Sequence, residues 1–274
     1  MFNKRTDIAI FFTDEIVGFF QRQPFLDQAA FGTAHLEKGA IENGYIKEPE
    51  SVLETLRKLL EKYQVYPRSV TLVIHDENLL IRDIKIKREE LVKKTIDQYF
   101  AEQLGKTLHF PYPEPVITHF VREESEELIR VIALITDGHL LHAYHDVFDK
   151  LKAKEVLYEI SAVPFYNIYH NKVSQLDDIT MFVNLYNGMF SIQILEKGFP
   201  IFNLIEENDG GKEEYAQMIE NYVERISNYY KFNLRKGKQH IGKVLIFNMN
   251  EDIEDEELQK LLVKKLSSYK AQLC

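Results

Sequence analysis

The stretch Ile179–Leu204, ITMFVNLYNGMFSIQILEKGFPIFNL, leaves the chain few choices of fold. Thr180–Tyr186 is an apolar run, Asn187-Gly188 a turn, Met189–Glu196 a return run, and Lys197-Gly198 a second turn before Phe199–Leu204. Asn-Gly suits a two-residue hairpin because both turn positions need positive φ, which Asn and Gly tolerate best. Three antiparallel strands therefore head the second half of the chain and lead toward Gly210-Gly211 and a helix over Lys212–Phe232. Tyr215, Ile219, Tyr222, Val223 and Ile226 recur in it at helical spacing. A basic loop (Arg235–Lys238), a strand Lys243–Phe247 and a last helix Glu256–Tyr269 complete this half.

The first half begins the same way. Asp7–Phe12 and Ile16–Gln21 read as a hairpin around Thr13-Asp14-Glu15, and Ala29–Lys38 as a third strand. Glu50–Tyr63 is an amphipathic helix, with Pro49 at the first position, where a missing N–H costs nothing. Ser69–His75 is apolar on both faces, as in the middle of a sheet. A strand Asn78–Ile86, a helix Lys87–Leu104 and an irregular, extended Phe110-Pro111-Tyr112-Pro113 follow, since each proline biases its predecessor away from helix. Pro115–Glu123 and Ile129–Ile135 are strands, and Thr136-Asp137-Gly138 caps a helix ending at Leu151. Val156–Ile160, a helix through Phe165–Tyr169 and a polar linker Asn171–Asp178 close the half. The order β-β-β-α-β is thus met twice, which defines an α/β class.

Apolar content of 45% and charged content of 28% are ordinary for a globular protein. A net charge of −9 argues against a surface built to neutralise nucleic-acid phosphates. The single cysteine, Cys274, cannot form an internal disulfide. With no signal peptide read at the start, the reducing cytoplasm is expected. The apolar Ile8–Phe20 is interrupted by Thr13-Asp14-Glu15 and is no membrane span.

A hairpin-led layout occurring twice resembles the actin-like ATPase superfamily. The order and spacing of further segments are similar to one member, the type IV pilus assembly protein PilM, a relative of the division protein FtsA. Gly198 and Phe202 fall where PilM proteins carry a Gly turn and an aromatic, when Asn184 takes the place of an Asp, and Gly210-Gly211 lies within one residue of a glycine pair. Gly39–Val52 (GAIENGYIKEPESV) resembles the family's G-x-I-x-x-G-x-I segment, and Ile84–Pro113 its P-x-x-E-L … I-P-F element. The resemblance implies an actin-like (ribonuclease H-like) duplicated fold of two domains. The first would cover 1–176, with an FtsA/PilM-type subdomain inserted at about 77–136. The second would cover 177–274 without its outer subdomain, because Gly211 runs straight into Lys212-Glu213.

Actin-like ATPases hold nucleotide between two hairpins whose Gly-rich turns let backbone N–H groups approach the phosphates, with aspartates serving the metal and the attacking water. Laid over that pattern, Ile10 stands at the aspartate, Phe12 at the glycine and Val17 at the phosphate-contacting Lys. In the second hairpin Asn184 replaces Asp, Tyr186 replaces Gly and Phe190 sits at the Thr, while Phe247-Asn248-Met249 meets the adenosine-side Gly-Gly. These departures imply a pseudo-ATPase that needs neither ATP nor Mg²⁺, with Phe12 and Tyr186 expected to fill the phosphate space.

Other chemistry finds less support. Asp7 lies a strand's length from the first turn, and Asp14 sits in it as turn Asp residues do. Gly188 reads as a hairpin-turn glycine. His139, His142 and His145 fan across ~120° of a helix, too wide for one ion, and His75 reads as a strand end. The tyrosines of the Lys212–Tyr230 helix lack the interleaved cations of a base-stacking platform. Arg235-Lys236-Lys238 falls short of the four or more clustered charges that an anionic lipid surface calls for, and reads as a solvated loop. Cys274 has no His or acid partner in sequence.

The expectation is a cytoplasmic scaffold at the inner face of the membrane, in a type IV pilus or competence-like assembly. PilM proteins dock the cytoplasmic N-terminal segment of a membrane-anchored PilN-type partner in a groove between two subdomains of the first half. Here Phe110, Pro111, Tyr112 and Pro113 would form its rim. The alternatives are a nucleotide-binding actin-like ATPase and a filament-forming homologue.

Overall fold

The computed structural model describes residues 8–22, 29–161, 179–186, 189–207, 212–248, 250, 253–266 and 268–273. The readings at Asp7, the helix through Phe165–Tyr169, the linker Asn171–Asp178, Asn187-Gly188, Gly210-Gly211, Met249 and Cys274 lie outside these residues.

The chain divides into two compact units. The first holds Met1–Leu80, Ile84–His119 and Glu123–Ser161. It opens with β1 (Ile8–Phe12), β2 (Ile16–Arg22) and β3 (Ala29–His35), an antiparallel meander. The short β4 (Ile41–Glu42) and β5 (Tyr45–Ile46) follow, then α1 (Pro49–Lys62) and β6 (Ser69–Ile74). Further along come β7 (Leu80–Lys87), α2 (Ile96–Gln103), β8 (Pro115–Glu124), β9 (Leu128–Asp137), α3 (Gly138–Lys150) and β10 (Glu155–Ile160). The main sheet has the order β10-β6-β1-β2-β3, with β6 parallel to both β1 and β10.

Strand alternation turns Ile8, Ile10 and Phe12 to one side, where they meet Leu53, Leu56 and Leu60 of α1 and Tyr144, Val147 and Phe148 of α3 in a single core. Each such fully buried side chain contributes ~1.5–3 kcal/mol. A second, three-stranded sheet, β7-β9-β8, packs Ile86, Val131 and Ile135 with Tyr99 and Phe100 of α2.

The continuous helix expected over Lys87–Leu104 is broken. A 3-10 turn covers Arg88–Leu91, Lys93 is left-handed at φ +63°, and α2 starts only after Thr95. The Thr95 hydroxyl accepts from Gln98 N–H while the Gln98 side chain accepts from Thr95 N–H, a reciprocal cap that restarts the helix.

The second unit gathers Ile81–Asp83, Phe120–Arg122 and Ala162–Cys274. Its strands are β11 (Ile179–Tyr186), β12 (Met189–Glu196), β13 (Phe199–Glu207), β14 (Lys243–Asn248) and β15 (Lys270–Leu273). Its helices are α4 (Lys212–Tyr229), which runs into a π turn at Tyr230–Leu234, and α5 (Asp255–Lys265). The last helix therefore stops short of Tyr269, and β15 follows in parallel with β14. Lys197 and Gly198 both have positive φ, +53° and +79°, as the second turn of the meander requires.

The sheet order is β13-β12-β11-β14-β15. Taken in the same sense the first sheet is β3-β2-β1-β6-β10, so each is an antiparallel meander extended by two parallel strands. That shared connectivity is a structural duplication. Among the described residues no helix is long and apolar enough to cross a membrane.

Candidate functional site

Because β1 and β6 run parallel, the β1–β2 turn stands at the carboxyl end of β6, where open α/β sheets bind ligands. The turn is closed by its own side chains. Thr13 Oγ1 accepts from the N–H groups of Glu15 (3.2 Å) and Ile16 (3.0 Å), and Thr13 N–H donates to Ile16 O at 2.9 Å. Asp14 reaches outward instead. Its Oδ2 accepts from Asn43 N–H at 2.7 Å and its Oδ1 from Gly44 N–H at 2.9 Å.

Asn43-Gly44 is the turn between β4 and β5, left-handed at both positions (φ +51° and +76°). Three further groups hold the same small hairpin. Asn78 Nδ2 donates to Asn43 O and the Tyr144 hydroxyl to Gly44 O, each at 2.9 Å, and the Tyr45 hydroxyl donates to Asp137 Oδ2 at 3.0 Å. Burial and the Asp137 carboxylate push the Tyr45 phenol up to about 12, with Tyr112 adding to the effect. A pair of backbone N–H groups gripping a carboxylate is what a phosphate loop offers a phosphate. Here the anion is the protein's own Asp14.

Two buried carboxylates escaped the sequence reading of this site. Asp76, just beyond β6, accepts from the Ser161 hydroxyl at 2.7 Å. Asp137, read from sequence only as a cap, does cap α3 by accepting from His139 N–H at 3.1 Å and also anchors Tyr45. The signal for Asp76 was a carboxylate placed at the carboxyl end of a fully apolar strand.

Ile10 and Val17 are completely buried, and Phe12 lies in the core with its ring 5.0 Å from Tyr144 and 6.4 Å from Phe148. Strand alternation turns the Phe12 ring to the core side of the sheet, and what stands at the turn is Asn43-Gly44. The polar groups of this turn already have partners within the protein. The N–H groups of Thr13, Glu15 and Ile16 are engaged within the turn, and Asp76 and Asp137 are buried and bonded. Among the described residues no group of three or more His, Cys, Asp or Glu is arranged to hold a metal ion. His139, His142 and His145 are largely exposed. A cavity of about 560 Å³ lined by Arg57, Leu60, Glu61, Tyr66, Arg68 and Lys152 opens at the other end of the sheet, around the starts of β6 and β10.

In the second unit Asn184 and Ser191 face each other across β11 and β12, and Asn184 Nδ2 donates to Ser191 Oγ at 3.0 Å. Tyr186 O accepts from the Tyr215 hydroxyl and from Asn250 Nδ2, both at 3.1 Å. Phe190 is wholly buried, edge-on to Tyr215 and Tyr222. At the far end of β12, Glu196 is 5% exposed. It accepts from Arg122 Nη2 (2.5 Å), from Tyr230 Oη (3.1 Å) and from the Arg235 guanidinium. Burial opposes its charge, but Arg235 and Arg122 outweigh that and hold the carboxyl below the usual carboxylate range.

Of the expected rim, Phe110 and Tyr112 are half-buried against the α2 core, while Pro111 and Pro113 are exposed.

No protein-family model and no curated protein matches the sequence. Solved structures do match. The chain superposes on a structure described as the PilM-PilN type IV pilus biogenesis complex with a TM-score of 0.69 and 11% identity, covering 97% of this chain and 87% of that one. A Bacteroides thetaiotaomicron protein with actin-like ATPase fold and unknown function gives 0.52 at 12% identity, over 98% and 90% of the two chains. The ethanolamine utilization protein EutJ from Carboxydothermus hydrogenoformans gives 0.53 at 8% identity, over 98% and 85%. With the duplicated meander-plus-parallel topology, these likenesses over nearly the whole length establish that the chain has the actin-like ATPase fold.

Proposed function

We propose that the chain is a PilM-like scaffold of a type IV pilus or related secretion assembly, not an ATPase. It would work in the cytoplasm and bind the N-terminal cytoplasmic segment of a PilN-type membrane protein. The observation that carries this reading is the β1–β2 turn. Its amides are spent on Thr13 and Ile16, and its Asp14 grips the Asn43-Gly44 turn where a phosphate would need the space. The superposition on the PilM-PilN complex supports the partner class. The rim at Phe110, Pro111, Tyr112 and Pro113 offers half-buried aromatics between exposed prolines, a surface that suits an extended peptide.

Thermal-shift titration with Mg-ATP tests the first half of the reading, since saturating ligand raises apparent stability by ~2.7 kcal/mol at a hundred times Kd. No shift is expected, and a clear one would overturn the pseudo-ATPase reading. Calorimetric titration with the N-terminal peptide of a PilN-type protein tests the second half. Binding lost on Tyr112→Ala is expected, and no binding to the parent chain would overturn the partner assignment.

A further inference from the structure

The segment from Arg225 to Asn250 carries six cationic side chains and no carboxylate, in a chain of net charge −9. The structure sorts those cations. Lys243 is buried at the start of β14, Arg235 is committed to Glu196, and Arg225 lies 4.0 Å over the Tyr222 ring with Glu206 at 3.8 Å. Lys231, Lys236 and Lys238 remain. They share one knob, because Gly237 N–H donates to Lys231 O at 2.7 Å and Lys238 N–H to Arg235 O at 3.0 Å.

A fourth lysine joins them. Glu196 is bonded to Tyr230 and Arg235, so the next residue, the exposed turn residue Lys197, stands at the same end of the unit. Lys197, Lys231, Lys236 and Lys238 form no ion pair among the described residues. Glu196 beside them is buried and neutralised by two arginines, and Asp83 lies 3.6 Å from the Arg122 guanidinium. On the same segment Phe232 is 59% exposed, with Lys231 Nζ 5.0 Å from its ring, and Tyr229, at the end of α4, is 43% exposed.

The three-charge loop read from sequence is thus joined by Lys197 and Lys231, with exposed aromatic side chains on the adjoining turn. We propose that this knob docks on an anionic phospholipid bilayer. Phe232 would enter the boundary between headgroups and acyl chains, and the lysines would lie against the lipid phosphates. Cations that flank an exposed aromatic ring are the pattern of interfacial membrane contact. A nucleic acid would call for cations along a groove that tracks its backbone, whereas these gather on two short turns. The inference rests on the second unit alone and stands apart from the PilN-type partner.

The chain has no tryptophan, so Phe232→Trp installs a single reporter. With vesicles of phosphatidylcholine containing phosphatidylglycerol, we expect co-sedimentation of the full chain and a blue shift of that reporter. Neither is expected with phosphatidylcholine alone, and added salt should weaken both. The double variant Lys236→Glu/Lys238→Glu should lower the vesicle affinity by more than about tenfold while leaving the thermal transition in place. Equal affinity for the two vesicle types, or no blue shift on sedimenting vesicles, would overturn the proposal. So would tighter binding of a single-stranded oligonucleotide than of anionic vesicles.

Discussion

The two hairpins that head the two sheets share a topology and differ in how they are held. In the first, β1 alternates buried and half-buried residues, and the turn is secured by polar groups: Thr13 within it, and Asp14 on Asn43 and Gly44. In the second, nearly every residue of β11 and β12 is buried on both faces. Aromatic packing around Phe190 secures one end and the Arg122–Glu196–Arg235 cluster the other. One connectivity can therefore be secured by polar bonds at its turn or by burial along its strands with an ion cluster at one end.

The largest effect expected is at Glu196. Glu196→Ala leaves two arginines without their shared anion in a buried setting, a loss of ~3–5 kcal/mol in chemical denaturation. The acid response has a definite sign. The folded carboxyl is held below its ordinary range, so its contribution is present above the unfolded value of ~4.3 and lost as pH falls through the folded one. Glu196→Gln should flatten that acid limb.

Phe190→Ala should cost ~3–5 kcal/mol by removing a fully buried ring, and Phe12→Ala a similar amount. Hydrogen exchange at backbone amides separates the two, with protection falling first in β11–β12 for one and in β1–β2 for the other. Equal loss in both sheets from either variant would show that the hairpins are not held separately.

Asp14→Ala is smaller, ~1–2 kcal/mol, because it strands two partly exposed N–H groups. Gly44→Ala tests the same clamp from the other side. Its Cβ would meet Asn78 Nδ2 at 2.2 Å in a left-handed conformation, so exchange should quicken at Gly44 and Tyr45.

A separate effect, set by pH, is expected at Glu159 on β10, whose carboxyl burial pushes up to about 7. The folded form holds its proton more tightly than the unfolded form. Its contribution is therefore fully present below ~4.3 and lost as pH rises to about 7. Glu159→Gln should raise the melting temperature at pH 8 and leave it unchanged at pH 4.

The hairpins, α1, α3 and the long α4 were legible in sequence because each carries a period or a turn signal of its own. β4 and β5 are too short to show alternation. The break in the 87–104 helix was hidden because apolar spacing continues across Lys93-Lys94-Thr95, and only the cap at Thr95 marks the restart. The candidate site was the least legible part. Asp14 finds Asn43, Tyr144 finds Gly44 and Asp76 finds Ser161 across long stretches of chain, and no local pattern announces such pairs. The side of the sheet that Phe12 faces was open for a related reason, since superposing a motif fixes a position but not the side to which its side chain turns.

The meander β11–β12–β13 also bears on the order of folding. Its strands follow one another at two-residue separations, so their pairing needs little loop closure, whereas the parallel pairs β11–β14 and β6–β10 wait on long intervening segments. As the chain leaves the ribosome, the second sheet has a ready template in this meander before β14 and β15 are made, and the late parallel strands add to an edge already in register.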